Sequence, residues 1–187
     1  MSDTLALWHE DHVNFARLLH ILEDELALFH EGGSPDYELM LDIMYYMTHY
    51  PDVVHHPKED LVFARIKERD LSAAPAIDSL TRQHVFLKAC GEQLVHDLDE
   101  IVNGSIIPRS PVGASARGYL ANFREHMRVE ERDILPLAAR LLRPNDWSAI
   151  DAAIHQLEDP LFGPRTDERY ASIAEHIGRQ AVHQPAP

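Results

Sequence analysis

The residues able to do chemistry recur at one spacing. His55 and Glu59 stand four apart in the run His55–His56–Pro57–Lys58–Glu59–Asp60. On a helix, residues i and i+4 lie one above the other on the same face. An imidazole and a carboxylate so placed can converge on one cation. The spacing returns at His126 and Glu130, inside a second amphipathic stretch. Two isolated histidines, His12 and His84, each precede one of these pairs. His12 to His55 spans 43 positions and His84 to His126 spans 42, while His55 to His126 and Glu59 to Glu130 both span 71. The order His, His-x3-Glu, His, His-x3-Glu reads as two helix pairs of one design.

The chain holds 13 histidines, and for most of them a surface or hydrogen-bonded role is the plainer reading. His12, His55, His84 and His126 differ because each falls on the apolar stripe of its helix. Burying an unpaired polar side chain costs about 1–3 kcal/mol, and a lone carboxylate more. Two divalent or trivalent cations would satisfy all four imidazoles and both carboxylates together. Salt bridges to buried Arg or Lys are the rival explanation, but the stripes carry few basic residues. Imidazole with carboxylate and no thiolate suits iron, manganese or zinc.

Four long helices must position these groups. The first is expected over residues 4–30, where Leu5, Trp8, Phe15, Leu19, Leu22, Leu26 and Phe29 repeat at three- and four-residue steps and Gly32–Gly33 ends the pattern. The second follows Ser34–Pro35, read as N-cap and first-turn proline, and runs through His55, Glu59 and Ile66. Pro51 and Pro57 predict a bend or short break near residues 50–57. Asp52 supports the site from one turn earlier. The third covers about 72–104, with His84 mid-stripe and His96 turned away. The fourth covers about 110–142, with Tyr119, Phe123, His126, Glu130 and Ile134 on one face and a kink at Pro136. Two shorter helices are expected at 146–157 and 167–179. We read residues 1–143 as the helical bundle and 144–187 as an extension packed on it. His155, His176 and His183 of that extension show no His-x3-Glu spacing and are read as outside the metal set.

Composition closes several other routes. The formal charge of −14 argues against nucleic acid, which needs clustered Lys and Arg. No apolar run approaches the roughly 20 residues a bilayer requires, so no membrane partner is expected. The opening Met-Ser-Asp-Thr has no basic region, so no signal peptide is expected. The single cysteine, Cys90, rules out an internal disulfide and fits a reducing, cytoplasmic setting. Nothing forms a Ser-His-Asp set, a phosphate loop or a nucleotide fingerprint, so no enzymatic reaction is assigned.

The residues His12, His55-x3-Glu59, His84 and His126-x3-Glu130 resemble the hemerythrin-like proteins, in particular their HHE cation-binding branch. The strings around Tyr50-Pro-Asp52, His55-His56-Pro-Lys-Glu59-Asp60 and His126-Met…Glu130-Glu131…Leu135-Pro136 are similar to that family's motifs, over roughly residues 5–142. The resemblance implies an all-α, up-down-up-down four-helix bundle around a non-haem diiron centre, two iron ions with an oxo or hydroxo bridge. It makes His12, His55, Glu59, His84, His126 and Glu130 the ligands, with both glutamates bridging. Other divalent metals would suit the same groups. The animal oxygen carriers of the family have a His-x3-His pair on the third helix. Here Leu80 and Lys88 flank His84 at four residues, so one histidine is missing and a coordination position opens. His56 is the alternative occupant, but a role outside the ligand set or facing solvent is preferred for it. His56→Ala is then expected to do much less than Glu59→Ala or Glu130→Ala.

An open position invites a small diatomic, and the resemblance implies binding or sensing of O2, or handling of NO. Iron homeostasis and consumption of NO or peroxide are the alternatives. Tyr45 or Tyr119 are candidates to hydrogen-bond such a ligand, with plain packing the preferred reading. The acidic surface and last helices offer a face to a protein partner or a second copy.

Overall fold

The computed structural model describes residues 3–30, 32–153 and 157–183, and among these no strand occurs. The stripe of the first helix is realised as α1, Asp3–His30, one unbroken 28-residue helix. Leu5, Trp8, Phe15, Leu19, Leu22, Leu26 and Phe29 are all buried. Gly32 ends it with φ of 78°, where a side chain would be strained, and the Gly33 N–H donates to the Leu28 carbonyl at 2.9 Å.

α2, Tyr37–Tyr50, starts later than Ser34–Pro35 predicts. The cap is Asp36, whose carboxylate accepts from the Leu39 N–H at 2.9 Å. A longer, charged acceptor at that position satisfies the free donor better than Ser34 would two residues earlier. The expected interruption at 50–57 is a widening rather than a break. Pro51–His55 forms a π-helical turn, and the helix continues as α3, His56–Arg69. The His56 N–H reaches back to the Pro51 carbonyl. Pro57 then follows without an N–H of its own. The second ligand-bearing helix repeats the device. α5, Arg109–Val129, passes through a π-helical turn at Glu130–Ile134 into α6, Leu135–Leu141. Leu135 N–H bonds to the Glu130 carbonyl, and Pro136 follows. In both helices the wide turn gives slack where a proline ring would meet the preceding turn.

α4, Ala74–Val102, lies between them, entered through a turn capped by Asp70. α7, Pro144–Ala153, begins two residues before the expected Asp146. Residues 154–156 of the expected helix, with His155, lie outside the described residues. α8, Ala171–His183, is the last helix.

α1 packs on α2 and α5, and α4 packs on α2, α3 and α5, while α7 rests on α3 and α8 on α2. α2 and α4 approach closely at Gly91, where an added Cβ would meet Thr48 Cγ2 at 2.7 Å. The apolar side chains form two clusters. One contains Phe15, Met47, Leu87 and Phe123, and the other Trp8, Val62, Phe63, Leu80 and Ile134. Along each helix the polar ligand candidates fall between them: His12 between Trp8 and Phe15, His84 between Leu80 and Leu87, His126 between Phe123 and Ile134. The site is thus a polar layer between two dry ones. The C-terminal segment is latched onto this frame. Tyr46 Oη donates to Asp159 at 2.7 Å, Arg69 holds Asp146, and Thr4 Oγ1 donates to Asp151 at 2.9 Å. No described helix is long and apolar enough to cross a membrane.

Candidate metal centre

The six groups singled out from the sequence meet. Glu59 Oε1 lies 2.8 Å from His55 Nε2 and 3.6 Å from His12 Nε2, and its Oε2 lies 3.2 Å from His84 Nε2. Glu130 Oε1 lies 3.3 Å from His126 Nε2 and 3.9 Å from His84 Nε2, and its Oε2 lies 3.3 Å from His12 Nε2. All six side chains are buried.

His56 lies beside them, buried rather than facing solvent. Its ring is buried, stacks on His84 at 4.3 Å between centroids and stands edge-on to His126 at 5.6 Å. Its Nε2 is buried with no hydrogen-bond partner. Adjacent helical residues diverge by about 100°. The centre is wide enough for both. His55 faces His12, and His56 faces His84. Two groupings can each hold an ion, His12 with His55 and Glu59, and His56 with Glu59, His84 and His126.

A second ring of acceptors sets the orientation of the imidazoles. Glu131 holds His12 Nδ1 at 2.8 Å, Asp11 holds His55 Nδ1 at 2.8 Å, and Asp52 holds His56 Nδ1 at 3.0 Å. Gln83 lies 3.1 Å from His126 Nδ1 and Asp60 3.2 Å from His84 Nδ1. In the neutral ring such an acceptor favours the proton at Nδ1 and leaves the Nε2 lone pair facing inward. Sequence reasoning found only Asp52. The signal for the others is their adjacency to a ligand: Asp11 to His12, Asp60 to Glu59, Gln83 to His84, Glu131 to Glu130. Each backs a histidine on a different helix from its own, which adjacency alone does not reveal.

The charges explain the arrangement. Burial alone would lower the His12 pKa, but hydrogen bonds with Glu130, Glu131 and Glu59 outweigh it and raise it well above the ordinary value. His55 is likewise pulled down by burial and carried up to about 9 by Glu59 and Asp11. His84, against the same burial, is raised to about 10 by Asp60 and Glu59. Burial lowers His56 and His126; Asp52 and Glu59 offset it only in part at His56, and Glu59 only in part at His126. Burial pushes Glu130 up, and the neighbouring Glu59 charge adds to this, to about 7. Glu59 resists its own burial because His55, His12 and His84 surround it, and it lies well below the ordinary carboxylate range. All four carboxylate oxygens of Glu59 and Glu130 are buried without a full hydrogen bond. At about 1–3 kcal/mol for each unsatisfied group, more when charged, the protein alone leaves this layer costly. Cations seated between the carboxylates and the Nε2 atoms fit the donors present. The Trp8 indole N–H donates to His12 Nε2 at 3.0 Å.

Tyr45 is not at the site. Its ring stacks on His49 at 3.8 Å and lies beneath the Arg169 guanidinium at 3.3 Å. Tyr119 is buried beside Phe123 and Gly91, in a packing role. His9, His20 and His96 are exposed. His176 borders a cleft with Asp36 and Ser172. The His183 side chain lies outside the described residues.

An all-helical protein with a buried histidine and glutamate cluster of this kind is built to bind metal. The hemerythrin HHE cation-binding domain matches residues 3–138, and the chain belongs to that family. No curated protein matches the chain.

Proposed function

We propose that this chain holds a non-haem pair of iron ions and uses it to bind or sense O2 or another small diatomic such as NO. The observation that carries the reading is the placement of the two glutamates. Each turns one oxygen toward His12 and the other toward His84. Two carboxylates so placed would bridge two cations. His12 and His55 would serve one position, and His84 and His126 the other. His56 would supply the imidazole that Leu80 and Lys88 do not. Five imidazoles and two carboxylates without a thiolate favour iron over softer-ligand metals. A reduced iron pair, when bound, supplies the electrons that make a diatomic ligand bind. The chain's own part is to hold the rings by their Nδ1 atoms and keep water out. The rings of Trp8, Phe15, Phe63 and Phe123 pack against the histidines for that purpose.

The same reading takes residues 1–143 as an up-down-up-down bundle and 144–187 as its cover. Phe29 against Tyr37, Glu23 against Arg124 and Lys67 against Asp78 support antiparallel neighbours. One half-buried free cysteine, Cys90, is consistent with a cytoplasmic setting. Metal analysis of untagged protein, joined to optical spectra of the reduced form before and after air, tests the proposal. Two irons per chain and a new visible band that fades when O2 is removed are expected. Zinc in place of iron, or an iron protein whose spectrum ignores both O2 and NO, would overturn it.

A further inference from the structure

A larger and a smaller surface cleft reach the buried imidazoles, and they differ. The larger, about 470 Å3, opens between α1, the Pro51–His55 turn and segment 157–163, and touches only His55 of the cluster. The outer nitrogen of His55 is already held there by Asp11. The smaller, about 140 Å3, is lined by Asp52, His56, Pro57, Asp60, His84 and Lys88. It touches two of the cluster's imidazoles.

The smaller cleft also contains a carboxylate oxygen with nothing to bind. Asp52 Oδ1 accepts from His56 Nδ1, but Asp52 Oδ2 is buried with no partner, on a side chain only 8% exposed. Left so, it is a desolvated acceptor without a donor. Asp60, 47% exposed, stands at the rim with Oδ1 3.2 Å from His84 Nδ1, off the alignment of a full hydrogen bond. Lys88 is the one lysine or arginine among these lining residues.

We propose that this cleft is a transfer site for a hydrated divalent cation, drawn first to Asp60, then to Asp52 Oδ2, and handed inward when the His56 and His84 rings turn. The inference rests on the metal-centre reading above. It makes the carboxylates attractive and Lys88 opposing, because charges lining a low-dielectric cleft raise the local concentration of their counter-ions.

Uptake of Co(II) by the metal-free full-length chain, followed anaerobically by stopped-flow absorbance with end-point stoichiometry by equilibrium dialysis, tests it. Asp60→Asn should slow the second-order uptake by about tenfold. Asp52→Asn should slow it at least as much, and Lys88→Gln should speed it. Glu10→Gln, at the larger cleft, should leave it unchanged. Wild-type rates in both Asp60→Asn and Lys88→Gln, or slowing by Glu10→Gln instead, would overturn the proposal. Two ions bound at unaltered rates sink the cleft alone, whereas no Co(II) bound at equilibrium sinks the metal centre itself.

Discussion

His84 and His126 hold their Nε2 atoms 3.1 Å apart. Two lone pairs at that distance repel, so one nitrogen must carry a proton or a cation must face both. In the metal-free protein the proton belongs to His84. Burial disfavours charge on either ring, but Asp60 and Glu59 raise His84 to about 10, while His126 stays well below its ordinary value. Metal would need both lone pairs, and the proton would have to leave.

Metal loading should therefore release protons. At pH 7 His55 and His84 are charged in the metal-free protein, since burial is outweighed by their carboxylate neighbours. Those two protons and part of one from Glu130, raised to about 7, should leave on full loading, and apparent affinity should rise with pH toward 9–10. Calorimetric titration in two buffers of different ionisation enthalpy counts them. A buffer-independent heat would contradict this.

The stability of the metal-free protein should peak in mildly acid solution. His55 and His84 have folded pKa values of about 9 and 10 against 6.5, so their contribution is complete below 6.5 and lost as pH rises through 9 and 10. Glu130, raised to about 7 from 4.5, loses its contribution between those values as pH rises. Glu59 is depressed, so its contribution is lost as pH falls below the ordinary carboxylate value of 4.5. His56 and His126 are also depressed, and the unfolded chain takes up their protons first as pH falls below 6.5. Thermal melting across pH 4–10 should show the maximum near pH 6 without metal and a shift to higher pH with it, by roughly one unit or more.

Substitution should separate bridging from terminal roles. Glu59→Ala or Glu130→Ala should remove most of the metal, because each leaves several buried imidazoles without a counter-charge. His56→Ala should lower loading from two ions toward one, a larger effect than the sequence alone suggests. Full two-ion loading of Glu59→Ala, measured by elemental analysis, would end the bridging assignment.

Helix spacing at Gly91 should matter to the site as well as to the fold. A Cβ there meets Thr48 Cγ2 at 2.7 Å and Tyr119 Cε2 at 3.2 Å, so Gly91→Ala should cost about 1–3 kcal/mol. It should also weaken metal binding, because α4 carries His84. Gly118→Ala, with nothing within 4 Å of the new Cβ, should instead stabilise α5 by about 0.5–1 kcal/mol. Denaturant unfolding of the two variants makes the comparison.

The sequence by itself determined the helices and six of the buried polar groups. Helical periodicity places His12, His84 and both His-x3-Glu pairs on apolar stripes, and a stripe must be buried whatever it packs against. Only the tertiary structure decided the rest. His56 turns inward because the centre is wide enough to receive two adjacent, diverging side chains. Asp11, Asp60, Gln83 and Glu131 each back a histidine on another helix, and which one depends on helix rotation and register, which no local pattern encodes. The prolines announced an irregularity, but that each helix widens rather than breaks appears only in the folded chain, where the His56 and Leu135 N–H groups reach back five residues to the Pro51 and Glu130 carbonyls and keep the helix continuous.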